Sequence, residues 1–474
     1  MSDPIWALVA GGALTLALLP LAPIHHDETW FLVVVKRLLR GDRLYEDVFF
    51  GAGPLPVWVA AAVVRVTRAQ LLVMRLLSSV YFIAGLAVAV LMLGDAGLDP
   101  LPVVALSVAA GGVHLTPFDQ YGRWSLVTAM AAAAAVLFGF PWLAGLFVGL
   151  SIAGKYTTGL ATAATLVPVS AVVIGLGFAA RLSSGLVLTA AVVFAALGRR
   201  GIDAFLDRAV RNKQVYLRHG VVLPWHGARR SLGELRSGIA PLLDSIPSLL
   251  SYLVLLAGIV AVPVGLVLAI ADGSLFGALG AALCLIGVGA AFPRFDAAHA
   301  RAVAPIVALG AWLSISPGGA LVPLTVVLGA LAILASVGRF YVMARRAEIR
   351  WDVPGMRLLP VTRVSGLWPD ETGDLVTMAG SEVFLFHIHA AAFYLSGGLT
   401  NPTPYDYPLV STFGPTGQAE VIESIENGRI EWVCHRPMHG PLTAVELQDY
   451  LNRLTPLGEC GLGWVLHPQP TVGA

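Results

Sequence analysis

Two adjacent carboxylates follow the first apolar segment of the chain. The apolar run ends at Ile24, Asp27 and Glu28 come shortly after it, and a helical pattern begins near Thr29. Carboxylates at the edge of a bilayer are energetically unfavourable, so these two are expected to serve a purpose. One interpretation is structural, with Asp27 as the N-cap of the helix and Glu28 in its first turn. The other is chemical, with Asp27 as a general base, and both can hold because a capping carboxylate is fixed rigidly.

A single lysine interrupts a second apolar stretch. Lys155 lies in the run SIAGKYTTGLA, and the chain has only two other lysines, Lys36 and Lys213. An ammonium group between two apolar helices needs an anion or a water-filled cavity. Its side chain can instead reach the membrane surface. The first alternative predicts that Lys155 binds a phosphate, and the second predicts no chemical role.

Several other polar groups stand at the ends of apolar runs. Asp119 and Arg123 lie in the break HLTPFDQYGRW, and the turn FPRFDAAHAR carries Arg294, Asp296, His299 and Arg301. Arginine suits bidentate binding of phosphate, although such turns also anchor helices at the membrane surface. The adjacent pair His25 and His26 offers metal ligands, but without a second pair the signal is weak. The sequence has no Gly-rich phosphate loop, nucleophile elbow or paired CxxC motif.

The composition predicts a polytopic membrane protein. Of 474 residues, 57% are hydrophobic and only 12% are charged. A soluble protein of this size has about twice that charged fraction. Apolar runs of membrane-spanning length recur along the chain, and we expect about eleven helices to span the bilayer. The net charge of +1 and the scattered basic residues exclude a nucleic-acid partner.

The elements that position the candidate residues are predicted from the same pattern. Two short apolar segments, Thr29 to Arg40 and Leu55 to Val64, are expected to lie in the membrane interface because neither suits a span. A long polar loop from Arg199 to about Pro247 carries two amphipathic stretches, which predict surface helices.

Beyond residue 344 the chain becomes polar. This change predicts two domains, a transmembrane catalytic domain over 1–344 and a small α/β domain over 345–474. Strand-like runs and one helical run support the second domain: Asp374 to Met378, Val383 to His387, Ile430 to Cys434 and Thr443 to Leu454. Cys434 and Cys460 can pair if this region faces an oxidising compartment, and two free thiols are the alternative.

Span parity predicts which candidates share one side of the membrane. With eleven spans and an internal amino terminus, the Asp27 loop, Lys155, the turn near His299 and the tail emerge on the outer side. The positive-inside rule does not favour this orientation, since Arg181 is almost the only basic residue on the predicted cytoplasmic side. A cluster of cations on the outer side is what an anionic lipid headgroup requires.

Four sequence stretches resemble one known superfamily. The first part of the chain resembles the amino-terminal half of the GT-C glycosyltransferases. The pattern consists of a first span, Asp-Glu, a short helix, the stretch GDRLYEDVFFGAGPLPVW and a span that opens with RLLSS. GKYTTGL is similar to their lysine-bearing segment, and RFDAAHARAVAPIVAL to their arginine- and proline-marked span. AFYLSGGLTNPTPYDYPL resembles a tail of many bacterial members. The nearest group is family 39, which includes protein mannosyltransferases and aminoarabinose transferases.

The resemblance implies a fold and a reaction. The fold is an all-α membrane domain with interfacial helices in the first outer loop. The reaction moves a sugar from polyprenyl phosphate to a hydroxyl or amine of a glycan, lipid or protein at the outer face of the cell membrane, with inversion. Asp27 is then the base, and Glu28 orients it or holds a metal.

The same reading assigns the remaining candidates. Because the leaving group is a phosphate, Lys155, Arg294 and His299 are expected to bind it. Asp119, Arg123 and His26 are expected to bind the acceptor or a metal. No cofactor is required by the resemblance, and the one that it allows is a divalent cation, Mg²⁺ or Mn²⁺.

Two other functions fit a polytopic chain. A transporter or lipid flippase often shows inverted repeats and broken helices near the midplane, and we find neither in the sequence. A catalytically inactive scaffold of a glycan-building complex is the third reading. Activity of the purified protein with a polyprenyl phosphosugar distinguishes all three.

Overall fold

A computed structural model describes most of the chain. The described residues are 4–19, 24–112, 119–211, 223–234, 239–292, 295–315, 321–346, 348–364, 366–372, 376, 380–438, 443–460 and 464–466.

Helices dominate the described residues up to residue 346. They are α1 (Pro4–Leu18), α2 (His26–Arg40), α3 (Leu55–Val66), α4 (Leu71–Asp95), α5 (Leu101–Ser107), α6 (Asp119–Leu137), α7 (Pro141–Gly154), α8 (Tyr156–Val173), α9 (Leu176–Ala195), α10 (Gly198–Ala204), α11 (Pro224–Glu234), α12 (Ile239–Asp272), α13 (Leu275–Ala291), α14 (Ala297–Ile315) and α15 (Leu321–Arg346). Helices α5 and α10 continue as π-helical segments, Val108–Gly112 and Phe205–Arg211.

Six of the described helical segments are long and apolar enough to cross a membrane. They are Leu71–Asp95, Tyr156–Val173, Leu176–Ala195, Ser245–Asp272, Ala297–Ile315 and Leu321–Val342. Five further apolar helices are shorter, between 10 and 17 residues. The chain is therefore a multi-pass membrane protein, and the expected number of eleven spans stays a prediction.

Small residues allow the apolar helices to pack closely. A Cβ atom on Gly310 of α14 would lie 2.6 Å from the carbonyl oxygen of Gly280 on α13, so the two backbones are in contact there. Helices α7 and α9 meet in the same way at Gly145 and Gly185. Such contacts are typical of helix packing in membranes, where dispersion replaces the hydrophobic effect as the driving force.

The described residues after 346 form short elements around a small sheet. They are β1 (Phe384–Phe386), α16 (Ala390–Ser396), α17 (Val410–Phe413), α18 (Gly417–Glu426), β2 (Val433–His435), α19 (Val445–Leu451), β3 (Pro456–Glu459) and β4 (Trp464–Leu466). The strand order is β1-β2-β4-β3, with β1 parallel to β2 and the other pairs antiparallel. A disulfide joins Cys434 in β2 to Cys460, which follows β3.

One hydrophobic cluster joins this C-terminal segment to the first loop. Trp30 and Phe31 of α2 and Phe50 of the loop belong to the same buried cluster as Phe386 and Tyr407. The aromatic side chains of α2 therefore pack partly against residues from the other end of the chain. This cluster contains residues from both sides of residue 344. The proposed division into two domains at that residue therefore stays a prediction.

The predicted local elements agree with the structure in most places. The helices predicted at Thr29 to Arg40 and Leu55 to Val64 are confirmed as α2 and α3. Two predicted strands and the last predicted helix coincide with β1, β2 and α19, and the run Asp374 to Met378 lies largely outside the described residues. The predicted loop boundary at Pro247 is wrong, because α12 already begins at Ile239 and continues through this proline.

Candidate active site

The start of α2 is closed by a capping box that does not use the Asp27 side chain. His25 has an extended backbone, and its Nδ1 accepts a hydrogen bond of 3.3 Å from the Asp27 N–H. The Glu28 carboxylate accepts the His25 N–H at 2.9 Å. The expectation that Asp27 is the N-cap is therefore wrong, because the histidine before it already satisfies this turn. The Asp27 side chain is left available for another role.

Glu28 forms a buried ion pair with Arg75 of α4. The Arg75 Nε donates to Oε2 at 2.9 Å and its Nη2 donates to Oε1 at 2.5 Å, so the pair is bidentate. Both residues are almost fully buried, and Arg75 also donates to the Leu19 carbonyl. This bidentate ion pair holds the Glu28 carboxylate in place in the first turn of α2, next to Asp27.

Asp27 is a buried carboxylate with one unused oxygen. Its side chain accepts a hydrogen bond from Tyr407, and it is 3% exposed. Oδ2 is buried and has no hydrogen-bond partner among the residues that the structure describes. Burial raises the pKa of Asp27, and the nearby His25 and the Tyr407 hydroxyl partly oppose this shift. Such a carboxylate is a stronger base than an exposed one.

Two imidazoles, His25 and His26, adjoin this carboxylate, and His389 packs against His26; we call these three residues the histidine cluster. The rings of His25 and His26 are 3.7 Å apart between centroids, and the ring of His389 lies edge-on to His26 at 5.6 Å. Burial lowers the pKa of His25 to about 4 and that of His26 to about 3, and it also lowers the pKa of His389. These side chains are therefore neutral near pH 7.

The C-terminal segment contributes His389 and Tyr407 because it is fastened to α2. Arg37 donates to the Thr403 carbonyl at 2.6 Å and pairs with the buried Asp406 at 3.1 Å. Asn401 also donates to Asp406, at 3.0 Å. The stretch Asn-Pro-Thr-Pro-Tyr-Asp-Tyr thus forms a hydrogen-bonded turn that places Tyr407 against Asp27.

Lys155 lies between two helices at the loop that follows α2. It separates α7 from α8 with an extended backbone, is partly buried, and donates from Nζ to the carbonyl of Ala290 at 3.3 Å. The Gly53 N–H donates to the Gly154 carbonyl at 2.9 Å, so the first loop rests directly on this junction. Lys155 therefore neighbours the end of α13 and the turn that leads to His299.

The turn after α13 approaches the same place. His299 contacts Asp296 through Nδ1 at 2.8 Å, and both residues are close enough to Asp27 to influence its pKa. Arg294 lies outside the described residues. Arg301, two residues after His299 on α14, is buried and donates to the Ser248 hydroxyl.

Arg123 is held by backbone carbonyls and an aromatic ring of the helical bundle. It is buried, donates to the carbonyls of Gly111 and Ser78, and covers the ring of Phe82 at 4.8 Å. Gly111 belongs to the π-helical segment Val108–Gly112. A cavity of about 30 Å³ adjoins the guanidinium. These contacts give Arg123 a structural role in the bundle, and the structure describes no side-chain environment for Asp119.

Sequence reasoning did not name Arg75, Tyr407 or His389 as site residues. Arg75 opens an apolar span, and a lone arginine there was a signal that could have been followed. The motif His387-Ile-His389 offered the second histidine pair whose absence weakened the metal hypothesis. Nothing in the sequence pattern connects these positions to Asp27.

The donor atoms around Asp27 suit some metals better than others. His25, His26 and Asp27 each offer one ligand atom, and these atoms lie within 4.8 Å of one another. Imidazole nitrogen is a ligand of zinc-like ions, whereas Mg²⁺ prefers a shell of oxygen atoms. The described residues here therefore fit a zinc-like ion better than Mg²⁺.

Comparisons with known proteins give a loose structural likeness. No family model and no curated protein matches the sequence. ArnT from Cupriavidus metallidurans bound to undecaprenyl phosphate is similar over 99% of this chain and 98% of its own, with 14% identity and a TM-score of 0.41.

Two larger proteins are similar to most of the chain. The oligosaccharyltransferase AglB from Archaeoglobus fulgidus matches 91% of this chain and 69% of its own, with 13% identity and a TM-score of 0.42. The mycobacterial arabinofuranosyltransferase AftD matches 91% of this chain and 35% of its own, with 12% identity and a TM-score of 0.41. The likeness is too loose to place residues, so their roles rest on this chain's own side chains.

Proposed function

We propose that the chain is an integral membrane glycosyltransferase that moves a sugar from a polyprenyl-phosphate donor to a hydroxyl or amine. Asp27 is the residue on which this proposal rests. Its Oδ2 is buried and has no hydrogen-bond partner among the described residues. A buried acceptor atom without a donor is rare in proteins, and an O–H or N–H of the sugar acceptor would satisfy it.

The proposed reaction uses this carboxylate as the base. The acceptor group donates its proton to Asp27 while its oxygen or nitrogen attacks the anomeric carbon of the donor sugar. The bond from that carbon to the phosphate oxygen breaks, and the electron pair leaves with the polyprenyl phosphate. A single displacement of this kind inverts the anomeric centre. The raised pKa of Asp27 assists proton removal.

The leaving phosphate needs positive charge close to it. Lys155 supports this step because its ammonium contacts the Ala290 carbonyl at the end of α13, shortly before the turn that carries His299. His299 approaches from the turn before α14 and influences the same carboxylate. A cation that meets charge developing on the leaving group lowers the barrier.

The base is tested by the variant Asp27→Asn in purified protein supplied with a panel of polyprenyl-phosphate sugars. We expect turnover to fall by about 10²–10⁴-fold, because an amide cannot accept the proton. Asp207→Asn is the matched control, since Asp207 is exposed and pairs only with Arg211 four residues along the helix among the described contacts. Normal transfer by Asp27→Asn would exclude Asp27 as the base.

The phosphate site is tested by the binding of undecaprenyl phosphate. We expect Lys155→Ala to weaken this binding by about tenfold or more, since a charge-assisted contact contributes about 1.5–3 kcal/mol. Arg181→Ala removes an exposed cation on α9 and should bind the lipid as the parent protein does. Unchanged lipid affinity in Lys155→Ala would favour an interfacial role for this lysine.

The proposed reaction lies at the outer face of the membrane, and the disulfide between Cys434 and Cys460 supports this placement. Glu446→Cys tests it, because Glu446 is exposed on α19 while Cys284 is buried. An impermeant thiol reagent added outside intact cells should label this variant. Labelling only after the cells are opened would contradict the orientation.

A further inference from the structure

Trp30 lies three residues after Asp27 on α2 and carries a second buried polar atom without a partner. The side chain is 5% exposed, and its indole Nε1 has no hydrogen-bond partner among the residues that the structure describes. A buried tryptophan N–H usually finds an acceptor, and one that does not costs free energy. The Oδ2 of Asp27 is the complementary case, a buried acceptor without a donor. An unpaired donor and an unpaired acceptor therefore lie in the first two turns of one helix.

The two side chains share one face of α2 and one neighbour. Residues three apart on a helix have Cβ atoms about 5–6 Å apart. The Tyr407 hydroxyl donates to the Asp27 carboxylate, while the Tyr407 ring lies 5.5 Å from that of Trp30 between centroids. The indole and the carboxylate thus border the same tyrosine, so one bound ligand can reach both.

The packing of Trp30 accounts for its ring but not for its nitrogen. Phe49 stacks on the indole with centroids 6.3 Å apart and planes inclined by 19°, and the rings of Phe50 and Tyr407 each lie at 5.5 Å. A phenylalanine ring would join an aromatic cluster of this kind without burying an N–H. Because aromatic rings pack around the indole, its polar edge is the part that is left for a ligand.

We propose that Trp30 binds the acceptor through its indole N–H and that the acceptor group is a hydroxyl rather than an amine. This inference rests on the proposed transfer reaction, in which Asp27 is the base. A hydroxyl has one O–H, which it donates to Asp27, and two lone pairs. Its oxygen accepts the indole N–H with one lone pair while the other attacks the anomeric carbon.

An amine does not satisfy the same two groups. An alkyl amine is protonated at neutral pH, and the ammonium has three donors and no acceptor. A neutral amine has one lone pair, which the attack on the anomeric carbon uses. In both forms the N–H of Trp30 stays buried and unpaired, and this cost disfavours the amine as an acceptor.

Transfer into an extract of cells that lack this protein tests the proposal before the acceptor is known. The extract supplies the acceptor, and purified protein with a panel of polyprenyl-phosphate sugars completes the reaction. We expect mass spectrometry of the product to show a sugar linked through oxygen. Trp30→Phe should raise the half-saturating amount of extract about fivefold or more while the half-saturating donor concentration stays unchanged, because only a contact with the acceptor is lost.

Trp368→Phe is the matched control, since it makes the same change at another buried tryptophan, one that packs against Arg350 and Arg363. This variant should need the same amount of extract as the parent protein. A sugar linked through nitrogen would refute the hydroxyl acceptor while the proposed transfer reaction stands. Saturation of Trp30→Phe at the parent's amount of extract would exclude Trp30 from the acceptor site.

A binding measurement tests the contact separately from transfer. The protein carries isotope-labelled indole nitrogens in a detergent without hydroxyl groups, and the Trp30 N–H resonance is identified by its absence from Trp30→Phe or Trp30→Tyr. Octyl β-glucoside, a probe with hydroxyl groups, should shift this resonance, whereas octylammonium should not. No shift with the glucoside, or equal shifts with both probes, would overturn the contact. Because no donor is present, a protein that transfers no sugar still gives this result.

Discussion

Arg75 and Glu28 form a bidentate ion pair that is almost completely buried, with Nε–Oε2 and Nη2–Oε1 distances of 2.9 and 2.5 Å. The pair connects the first turn of α2 to the second turn of α4. Since Glu28 also accepts the backbone N–H of His25, both of its oxygens are engaged. The arginine thereby fixes the turn from which Asp27 projects.

We predict that breaking this pair destabilises the protein. Glu28→Gln leaves the Arg75 charge buried without its partner, which costs about 3–5 kcal/mol. Thermal unfolding of purified protein should show a clear decrease in melting temperature. Asp207→Asn, which breaks an exposed pair, should change the free energy of unfolding by less than about 0.5 kcal/mol.

The double variant Glu28→Gln with Arg75→Met completes the test. Removal of both charges avoids an unpaired ion, so we expect the double variant to recover much of the stability lost in each single variant. Additive losses would show that the two side chains act independently. In that case Arg75 would not be the residue that positions α2.

Tyr407 is predicted to support catalysis through Asp27. Its hydroxyl donates to the carboxylate, and hydrogen bonds to charged groups contribute about 1.5–3 kcal/mol. Tyr407→Phe should therefore reduce turnover about tenfold or more while the protein remains folded. The measurement is transfer by purified protein under saturating donor.

Tyr405→Phe is a control from the same turn. The Tyr405 hydroxyl donates to Glu420 at 2.7 Å, away from Asp27, so its loss should leave turnover nearly unchanged. Equal losses in both variants would indicate that the turn matters only as a folded unit. A loss confined to Tyr407→Phe assigns the effect to the contact with the carboxylate.

The local sequence was enough to predict those site residues that are neighbours in the chain. Asp27 and Glu28 could be predicted because an unfavourable pair of charges stood beside an apolar run. The histidine that caps α2 was missed, since histidine is not a preferred N-cap residue. The sequence could not predict that His389 and Tyr407 lie at the site. Their position depends on how the C-terminal segment packs against α2, and no pattern of hydrophobic residues indicates that contact.

The apolar helices were predictable for a similar reason. Hydrophobic runs report burial or lipid contact directly, so several membrane-spanning helices were expected from the sequence. The start of α12 was not predicted correctly. The polar residues before Pro247 indicated a loop, whereas the helix begins at Ile239. Proline within a membrane helix is tolerated where neighbouring helices stabilise the turn.

Gly53 is predicted to be required for the junction that holds Lys155. A Cβ atom at this position would overlap the backbone carbonyl of Ala153, and backbone cannot move away as a flexible side chain can. Gly53→Ala should therefore displace the first loop from the junction of α7 and α8, at a cost of about 1–3 kcal/mol. We expect weaker binding of undecaprenyl phosphate as well as a lower melting temperature.

Gly51→Ala serves as the control, since a Cβ atom there would meet only the ring of Phe49 at ordinary contact distance, 3.6 Å. This variant should keep both properties. Undiminished lipid binding by Gly53→Ala would mean that the loop does not contribute to the phosphate site.

The disulfide between Cys434 and Cys460 is predicted to stabilise the C-terminal segment that carries Tyr407. The two cysteines are 26 residues apart, and closure of a loop of this length corresponds to about 3–4 kcal/mol in the chain-entropy model. Cys460→Ser should lower the melting temperature, and reductant should lower that of the parent protein to a similar value. Cys284→Ser, at a buried free thiol, should respond to reductant as the parent does. If reductant left the parent unchanged while thiol trapping showed both cysteines free, the bond would be absent from the folded protein.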